Sequence, residues 1–456
     1  MSEFLQTLIE SARARSSGLL HTTSADGSMA TLTWAEVHQR ACLAAGVLRA
    51  HQVNPRSAVA ILVGHPAEVA LAAQATWLCG ASVTMLHQPT PRTDLKRYAL
   101  DTLGVLRMIG AKTVILGEPF SAMAANFQDA ASKLGIAVVT LDMLTTGGEP
   151  IDATADIAGE RDLAVLQLTS GSTAAPKAVR ITHEAIIANM TAMSQGAGLT
   201  ANDVMVSWLP LFHDMGMIGF LTLPMTLGRN LVKVTPADFL ARPLSWMELI
   251  SEYHGTVTAA PNFAYAIAAR ALGRAKDIDL STVRIALNGA EPIDAGVCAR
   301  FSDAAARFGF DPGAILCAYG MAESTLAVSF SAVGSGCLVD RVCGRQLREN
   351  QRAVPVTEGH EDVAEYVRLG RPLAGIEIRV QDEGHHRGNR EVGALQIRGT
   401  AVTDGYLTHE GSMAVLDEDG WLDTGDEGYL ADGEVVICGR RKDVIILAGR
   451  NIYPTD

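Results

Sequence analysis

Residues 166–185 read LQLTSGSTAAPKAVRITHEA, and this stretch decides how the rest of the chain is interpreted. An apolar run leads into small, mostly hydroxylated residues, and a predicted helix follows the lysine. Backbone N–H groups in such a loop form a concave anion site, hydroxyls add neutral donors, and a lysine adds a point charge suited to phosphate. The loop lacks the G-x-x-x-x-G-K-[ST] pattern of a Walker A motif. The candidate phosphate-binding residues are Thr169, Ser170, Gly171, Ser172, Thr173 and Lys177.

Any phosphate site must be local, because the chain as a whole is acidic. Its 456 residues include 37 basic and 50 acidic side chains, giving a formal charge of −13. That balance argues against broad binding of nucleic acid or anionic membranes. The most apolar long stretch, 208–227, is interrupted by His213 and Asp214, so no membrane span is predicted. Seven cysteines without a C-x-x-C pair, and no signal peptide, predict a cytoplasmic protein with structural thiols.

Alternation of short apolar runs with helical patterns predicts parallel sheets covered by helices on both faces. Strands are predicted at 57–64, 111–117 and 136–142, with helices at 65–80 and 121–135 between them. The strand pattern resumes at 204–210, 255–261, 283–291 and 314–320.

After residue 335 the pattern changes. Residues 340–370 are polar and irregular, with a short helix suggested by HEDVAEYV (360–367). Short strands with Gly and Asp turns then favour a small antiparallel barrel or distorted sheet. These strands are predicted at 375–380, 393–399, 420–430 and 433–439.

The predicted fold class is therefore α/β, with a large N-terminal domain of two doubly wound, mostly parallel sheets plus a small distorted β-barrel. The last 14 residues begin a new apolar strand, which is either a frayed terminal strand or the start of a truncated C-terminal domain. The predicted divisions are two packed α/β subdomains over 1–335, an insertion-like segment over 336–374, the barrel over 375–442, and a hinge region over 443–456.

Further motifs supply polar side chains beside predicted strands and turns. Glu323 lies in AYGMAES (318–324) just past a strand end, where ligand sites of parallel sheets are found. Each candidate also has a structural interpretation: His213 as a core histidine, Asp426 as ordinary turn chemistry, and Arg440 as a solvated charge. The other motifs are SWLPLFHDMGMIG (207–219), LNGAEP (287–292), WLDTGDEG (421–428) and GRRKDVIILAGRNIYP (439–454).

The order of these motifs over 25–456 resembles the adenylate-forming superfamily of acyl-CoA synthetases, luciferases and peptide-synthetase adenylation domains. LQLTSGST, WLPLFHDMGMIG, APNFAYAI (260–267), NGAEP and YGMAES resemble one branch in particular, the fatty acyl-AMP ligases. Ala174 and Ala178 replace glycines that are usual in the wider superfamily, and alanine is the less permissive residue. Ala322 stands where acyl-CoA synthetases generally carry threonine. The long segment between Glu323 and Gly375 fits an insertion that restrains the mobile domain of the ligases.

This resemblance implies ATP-dependent activation of a medium- or long-chain fatty acid to acyl-AMP, with release of pyrophosphate. It also implies that the phosphate loop holds the β- and γ-phosphates and that Glu323 holds Mg²⁺. Asp426 and Arg440 contact the ribose, and His213 lies between the α-phosphate and the acyl channel. Asp443 is the hinge of the C-terminal domain. The residues implied to frame adenine are Gly289, Ala290, Glu291 and Tyr319 with the neighbouring Gly320, Met321 and Ala322, and those implied to line the acyl pocket are Met217, Phe263 and Tyr265.

The resemblance further implies transfer of the acyl group to the phosphopantetheine arm of a carrier protein in a polyketide or nonribosomal peptide pathway. We expect a monomer. Three alternatives remain open: an acyl-CoA synthetase that uses free CoA, an amino-acid adenylation domain, and a non-catalytic adenylate-binding module. Because the superfamily's adenylation lysine lies beyond residue 456, we expect this chain to bind ATP or acyl-adenylate but to catalyse poorly.

Overall fold

A computed structural model describes the chain except for residues 15–17, 25–26, 91–92, 124–127, 129–130, 153–156, 170–175, 358, 444, 448–449 and 453–456. The described residues form two compact units. The first comprises Met1–Met190, Thr200–Leu249 and Thr403–Ala414, and the second comprises Thr191–Leu199, Ile250–Val402 and Val415–Asp456. In the described part of the chain no helix is long and apolar enough to cross a membrane.

The main sheet of the first unit has a parallel half and an antiparallel half. Among the described residues it contains, in order, β22 (Gly411–Ala414), β21 (Gly405–Thr408), β8 (Lys177–Thr182), β7 (Leu163–Thr169), β4 (Ser82–Met85), β3 (Ala58–Leu62), β5 (Ala111–Leu116) and β6 (Ala137–Thr140). The strands from β7 to β6 are parallel, whereas β8, β21 and β22 add antiparallel strands at one edge.

The parallel half confirms the predicted alternation of strands and helices. β3 reads AVAIL and is buried at every position, as expected for a parallel strand covered on both faces. The predicted helix over 121–135 lies partly outside the described residues. A second group of strands in this unit contains β9 (Val204–Ser207), β10 (Asn230–Lys233) and β1 (Leu19–Thr23), which run parallel, and β2 (Met29–Thr33), which is antiparallel to β1.

Several helices of the first unit begin at a residue whose side chain caps the helix. Thr33 and Glu36 form a reciprocal capping box, and Thr235 and Asp238 form another. The described helices are α1 (Glu3–Arg13), α2 (Trp34–Ala50), α3 (Pro66–Leu78), α4 (Leu95–Met108), α5 (Leu141–Thr146), α6 (His183–Gly196, which ends in the second unit), a π-helix (Met215–Thr222), α7 (Leu223–Thr226), α8 (Pro236–Ala241) and α9 (Ser245–Glu252, which also ends in the second unit).

The second unit has a mixed sheet with its own helices. In this sheet β11 (Val257–Ala260), β12 (Ile285–Asn288) and β13 (Ile315–Gly320) run parallel, and β14 (Ala327–Phe330) and β17 (Arg371–Pro372) add antiparallel pairs. The described helices are α10 (Asn262–Leu272), α11 (Ala295–Ala306) and α12 (Gly344–Asn350). None of the seven cysteines, all of which belong to the described residues, forms a disulfide, and five of them are buried.

An antiparallel sheet follows, as predicted, but closure into a barrel is not confirmed. Its described strands have the linear order β19 (His385–His386), β18 (Ile376–Asp382), β20 (Gly393–Gly399), β23 (Leu422–Ala431) and β24 (Glu434–Arg440). The strands β21 and β22 also fall within 375–442, yet they join the main sheet of the first unit. The last described strands are β25 (Ile445–Leu447) and β26 (Arg450–Ile452).

The helix predicted from HEDVAEYV is wrong. Val363–Val367 is strand β16, which pairs antiparallel with β15 (Val339–Cys343). The segment VAEYV is rich in β-branched and aromatic residues, which suit a strand once a partner strand is present. The helix of this region is α12, which lies between the two strands.

Candidate active site

The proposed phosphate loop closes a β-hairpin. Thr169 ends β7, Lys177 begins β8, and these two residues are direct partners in the antiparallel register. The expected helix directly after the loop is therefore wrong, because a second strand precedes α6. The loop residues Ser170, Gly171, Ser172 and Thr173 lie outside the described residues, so their role stays a prediction.

Lys177 has an aromatic neighbour that the sequence did not indicate. Its Nζ lies 5.3 Å from the centre of the Tyr406 ring, within the range of a cation–π contact. Tyr406 belongs to β21, which pairs with β8 at Tyr406 and Val179. The contact places the lysine at the base of the loop. No local motif could have revealed it, since the two residues are far apart in sequence.

The segment that carries His213 is tightly folded. The His213 N–H donates to the Pro210 carbonyl at 3.3 Å, and the Met217 N–H donates to the His213 carbonyl at 2.8 Å. A Cβ at Gly216 would collide with the Pro210 carbonyl oxygen, so only glycine fits there. Met217 is fully buried within the π-helix, an irregularity often found at functional sites.

Two further contacts fix His213 relative to the main sheet of its unit. Gln167 of β7 donates through Nε2 to the Phe212 carbonyl at 2.9 Å, which ties the strand before the phosphate loop to the His213 segment. The His213 ring also lies 6.4 Å from the His87 ring at an interplanar angle of 28°, with Phe212 near both. Burial, followed by the neighbouring His87, lowers the pKa of His213.

His87 was not among the site residues predicted from the sequence, although its position in the chain could have indicated it. It follows β4, and ligand sites collect at the carboxyl ends of parallel strands. Burial lowers the pKa of His87 as well. The structure therefore brings two largely neutral imidazoles together where the sequence predicted one.

In the second unit, three residues predicted from separate motifs meet. The Tyr319 hydroxyl at the end of β13 donates to Asp426 Oδ2 at 2.6 Å. Arg440 Nε lies 3.4 Å from Asp426 Oδ1, because Asp426 and Arg440 are partners in the β23–β24 register. The Asp426 N–H donates to Thr424 Oγ1 at 3.1 Å. These contacts hold one carboxylate in a fixed orientation.

Asp426 is only 6% exposed, and this burial has an electrostatic effect. Burial raises the pKa of its carboxyl; the Tyr319 hydrogen bond and Arg440 act in the opposite direction, and Glu323 adds to the rise. Glu323 lies half-buried in the turn after β13. A carboxylate in that position has the oxygen chemistry that Mg²⁺ takes together with substrate phosphates.

The residues beside Glu323 form a compact turn. The Met321 N–H donates to the Leu326 carbonyl at 2.8 Å, and a Cβ at Gly320 would collide with that same carbonyl. Ala322 is buried. The sequence Gly-Met-Ala thus folds back on itself and sets the position of the carboxylate that follows.

The NGAEP segment after β12 has a strained residue and an engaged carboxylate. Ala290 has a positive φ of 70°, unusual for a residue with a side chain. Glu291 Oε1 accepts a hydrogen bond from the Phe263 N–H at 2.6 Å, so it caps the first turn of α10. A Cβ at Gly289 would lie 3.1 Å from the Ala318 carbonyl, which limits this position to a small residue.

The two aromatic residues predicted to line the acyl pocket differ in environment. The Phe263 side chain is 45% exposed, whereas Tyr265 is 1% exposed. The Tyr265 hydroxyl donates to the Leu287 carbonyl of β12 at 2.8 Å, and its ring packs edge-on against Phe301. Tyr265 thus supports the strand below NGAEP, and its contact with a substrate stays a prediction.

The predicted hinge residue lies in an exposed turn. Asp443 ends the 3-10 turn Arg441–Asp443, next to a bidentate ion pair between Arg441 and Asp423. This pair is largely exposed and fixes the turn only weakly. Its role as a hinge is not tested by the geometry.

The insertion-like segment is ordered around one buried carboxylate. Asp340 in β15 accepts hydrogen bonds from Arg368 at 2.7 Å, Arg390 at 2.9 Å and the Tyr429 hydroxyl at 2.7 Å. Burial alone would raise the pKa of Asp340, but these hydrogen bonds outweigh burial and lower it. Val342, Leu347 and Tyr366 of the segment share a buried apolar cluster with residues of the five-stranded sheet.

The family model for AMP-binding enzymes matches residues 12–407 of the chain. This protein is a member of the AMP-binding enzyme family. Half of its residues are identical to those of a putative ligase of Mycobacterium tuberculosis, over 100% of this chain and 83% of that relative. It is 34% identical to the medium-chain-fatty-acid–[acyl-carrier-protein] ligase JamA of Moorena producens, over 64% of this chain and 52% of that protein.

A solved structure supports the same placement of this AMP-binding enzyme. It comes from a study of fatty acyl-adenylate ligases of E. coli and L. pneumophila, with a TM-score of 0.88 and 31% identity. The match covers 100% of this chain and 81% of that one. The α/β fold with several mixed sheets is therefore the fold of adenylate-forming enzymes.

Proposed function

We propose that this enzyme activates a medium- or long-chain fatty acid with ATP, forming acyl-AMP and releasing pyrophosphate. The observation that carries the proposal is the buried Asp426, which Tyr319 and Arg440 hold in one orientation. A carboxylate fixed in this way is a ready acceptor for the two hydroxyls of a ribose. Tyr319, at the end of a parallel strand, is suited to lie against the base.

In the proposed reaction a carboxylate oxygen of the fatty acid attacks the α-phosphorus of ATP. The bond between the α-phosphorus and the bridging oxygen breaks, and pyrophosphate leaves with the electron pair. Such reactions depend mainly on positioning and on charge neutralisation. Mg²⁺ bound through Glu323 would neutralise phosphate charge. Glu323 fits this task because it is half-buried beside the nucleoside-binding candidates.

The residues assigned to the phosphates belong to the first unit. The loop between Thr169 and Lys177 is assigned to the β- and γ-phosphates, with Lys177 supplying a positive charge. His213 is assigned to the α-phosphate and the entrance of the acyl channel. Because burial and His87 lower its pKa, His213 would be neutral near pH 7 and would donate one N–H without adding a full charge.

For the second half-reaction we propose the phosphopantetheine arm of a carrier protein as the acyl acceptor. Two features support this over free CoA: Ala322, which resembles the ligase branch, and the ordered segment around Asp340. In that segment α12 lies next to β26, close to the predicted hinge. A helix in this position could restrain the movement that brings CoA-forming relatives into their thioester-forming state.

Mass spectrometry of the product formed from ATP, Mg²⁺ and a mixture of fatty acids and amino acids tests the first half-reaction. We expect one or a few acyl-AMP species from fatty acids of medium or long chain, together with pyrophosphate. An aminoacyl-adenylate would contradict the fatty-acid assignment. Binding of a non-hydrolysable acyl-adenylate analogue without fatty-acid-dependent pyrophosphate exchange would instead indicate a non-catalytic binding module.

A further inference from the structure

A fully buried lysine lies beside the segment that carries His213. Lys233 ends β10 and has 0% of its surface exposed. Within the described part of the chain no carboxylate forms an ion pair with it, and burial pushes its pKa well below the usual value. Burying a lysine in this way is costly, and apolar residues of similar volume often stabilise such positions. Its presence therefore calls for an explanation other than stability.

The hydrogen bonds of the Lys233 side chain lead to the start of the His213 segment. Its Nζ donates to Ser207 Oγ at 3.0 Å and to the Leu209 carbonyl. The Leu209 N–H in turn donates to Ser207 Oγ at 3.1 Å. Lys233 and Ser207 are partners in the parallel β9–β10 register, so the lysine reaches across from the neighbouring strand. The backbone N–H and the carbonyl of Leu209 are thus both hydrogen-bonded where the chain leaves β9.

Leu209 is linked to His213 through the next residue and one backbone hydrogen bond. Leu209 is followed by Pro210, which has no N–H of its own, and the Pro210 carbonyl accepts the His213 N–H. On the other side of Leu209, the Trp208 ring stacks on the Phe239 ring with 4.0 Å between their centroids. A shift of the Leu209 carbonyl would therefore move the turn that presents the histidine.

We propose that Lys233 is a positioning residue, whose hydrogen bond to the Leu209 carbonyl sets the path of residues 208–214 and thereby the placement of His213. The catalytic part of this inference rests on the proposed function, in which His213 contacts the α-phosphate. The lysine acts through the backbone and does not touch substrate. The structural part, that Lys233 fixes the environment of His213, is independent of the reaction.

Lys233→Met and Lys233→Gln form a matched pair, because the two side chains have similar length and volume but only glutamine can donate. We expect Lys233→Met to lower kcat about 10- to 100-fold, the effect of displacing a catalytic group by about 1 Å, with little change in the KM for ATP. Lys233→Gln should recover part of kcat. The free energy of unfolding should be unchanged or higher in Lys233→Met, because an uncompensated buried amine has been removed.

The second readout is the titration of His213, followed by NMR of protein labelled at histidine. Its pKa should shift in Lys233→Met and return towards the wild-type value in Lys233→Gln. Unchanged kcat and unchanged His213 titration in folded Lys233→Met would overturn the proposal. If that variant does not fold, the same two measurements on Ser207→Ala, which removes the shared acceptor, decide it.

The two proposals fail in different ways. If the wild-type protein neither binds an acyl-adenylate analogue nor forms an adenylate, the proposed function is wrong, and the NMR titration alone still tests Lys233. If the His213 titration shifts while kcat stays unchanged, Lys233 does position the segment and the catalytic assignment of His213 is wrong.

Discussion

Asp426 shows how one residue can be costly for folding and useful for binding. It is nearly inaccessible, its pKa is raised by burial, and Tyr319 and Arg440 offset part of the cost of its charge. Groups with perturbed pKa values collect at functional sites for this reason. A carboxylate serving only the turn chemistry of T-G-D would have no need of burial or of a tyrosine from another strand.

The first prediction concerns Asp426→Asn. Because the folded-state pKa is raised, ionising Asp426 costs more in the folded than in the unfolded protein, and this cost is present above the raised pKa. The free energy of unfolding of the variant at neutral pH should therefore be unchanged or higher. Its affinity for a non-hydrolysable acyl-adenylate analogue should fall about tenfold or more, since hydrogen bonds to a charged group are lost.

Urea denaturation and calorimetric titration measure the two quantities. Asp303→Asn is the matched control, because Asp303 is an exposed carboxylate on α11 and should leave both unchanged. If Asp426→Asn bound the analogue as tightly as the wild-type protein, Asp426 would not contact the ribose.

At this scale the sequence singled out individual candidate residues but not the neighbours that they contact in the folded chain. Tyr319, Asp426 and Arg440 were each identified from a motif, but their meeting depends on the β23–β24 register and on β13. His87 and Tyr406 contact predicted residues through strands that are remote in sequence. Lys233 had no signal at all, because burial of a lysine is a property of the folded chain.

At the scale of elements, local pattern and tertiary pairing disagreed in two places. The chain after the phosphate loop was predicted as helix, but Lys177–Thr182 pairs with β7 on one side and β21 on the other. The segment HEDVAEYV was also predicted as a helix, but its residues Val363–Val367 form a strand because β15 pairs with them. Strand formation depends on partners more than on intrinsic preference, and those partners are distant along the chain.

The second prediction concerns the element built around Asp340. Asp340→Asn would leave Arg368 and Arg390 without their shared carboxylate, and breaking a buried charge network typically costs about 3 kcal/mol. The free energy of unfolding should fall by roughly that amount at neutral pH. Because the pKa of Asp340 is lowered in the folded state, its contribution in the wild-type protein is lost as pH falls through that lowered pKa.

Urea denaturation at neutral and acidic pH tests both statements. The difference between the variant and the wild-type protein should shrink as the solution is acidified. Glu377→Gln, which breaks an exposed pair with Arg398, serves as the control and should change stability little. Equal stability of Asp340→Asn and wild type at neutral pH would show that the segment is held by its apolar cluster alone.

At the scale of the whole molecule, the α/β class followed from the alternation of strands and helices, because parallel strands need crossover connections. The division into units could not be predicted in the same way. Thr403–Ala414 returns to the main sheet of the first unit after the chain has built most of the second. Such a return depends on the pairing of β21 with β8, and no local sequence pattern describes that pairing.

The third prediction concerns the acyl acceptor, which separates a carrier-dependent ligase from an acyl-CoA synthetase. The segment around Asp340 is held by hydrogen bonds from Arg368, Arg390 and Tyr429, and its helix α12 lies beside β26. If this helix restrains the movement needed for CoA chemistry, acyl transfer to a holo-carrier protein should be at least about tenfold faster than to free CoA, a difference of about 1.4 kcal/mol. Mass spectrometry of the acylated carrier and of acyl-CoA in one reaction measures both rates, with the apo-carrier as the control. Equal rates, or a preference for CoA, would contradict the acceptor assignment while leaving adenylate formation intact.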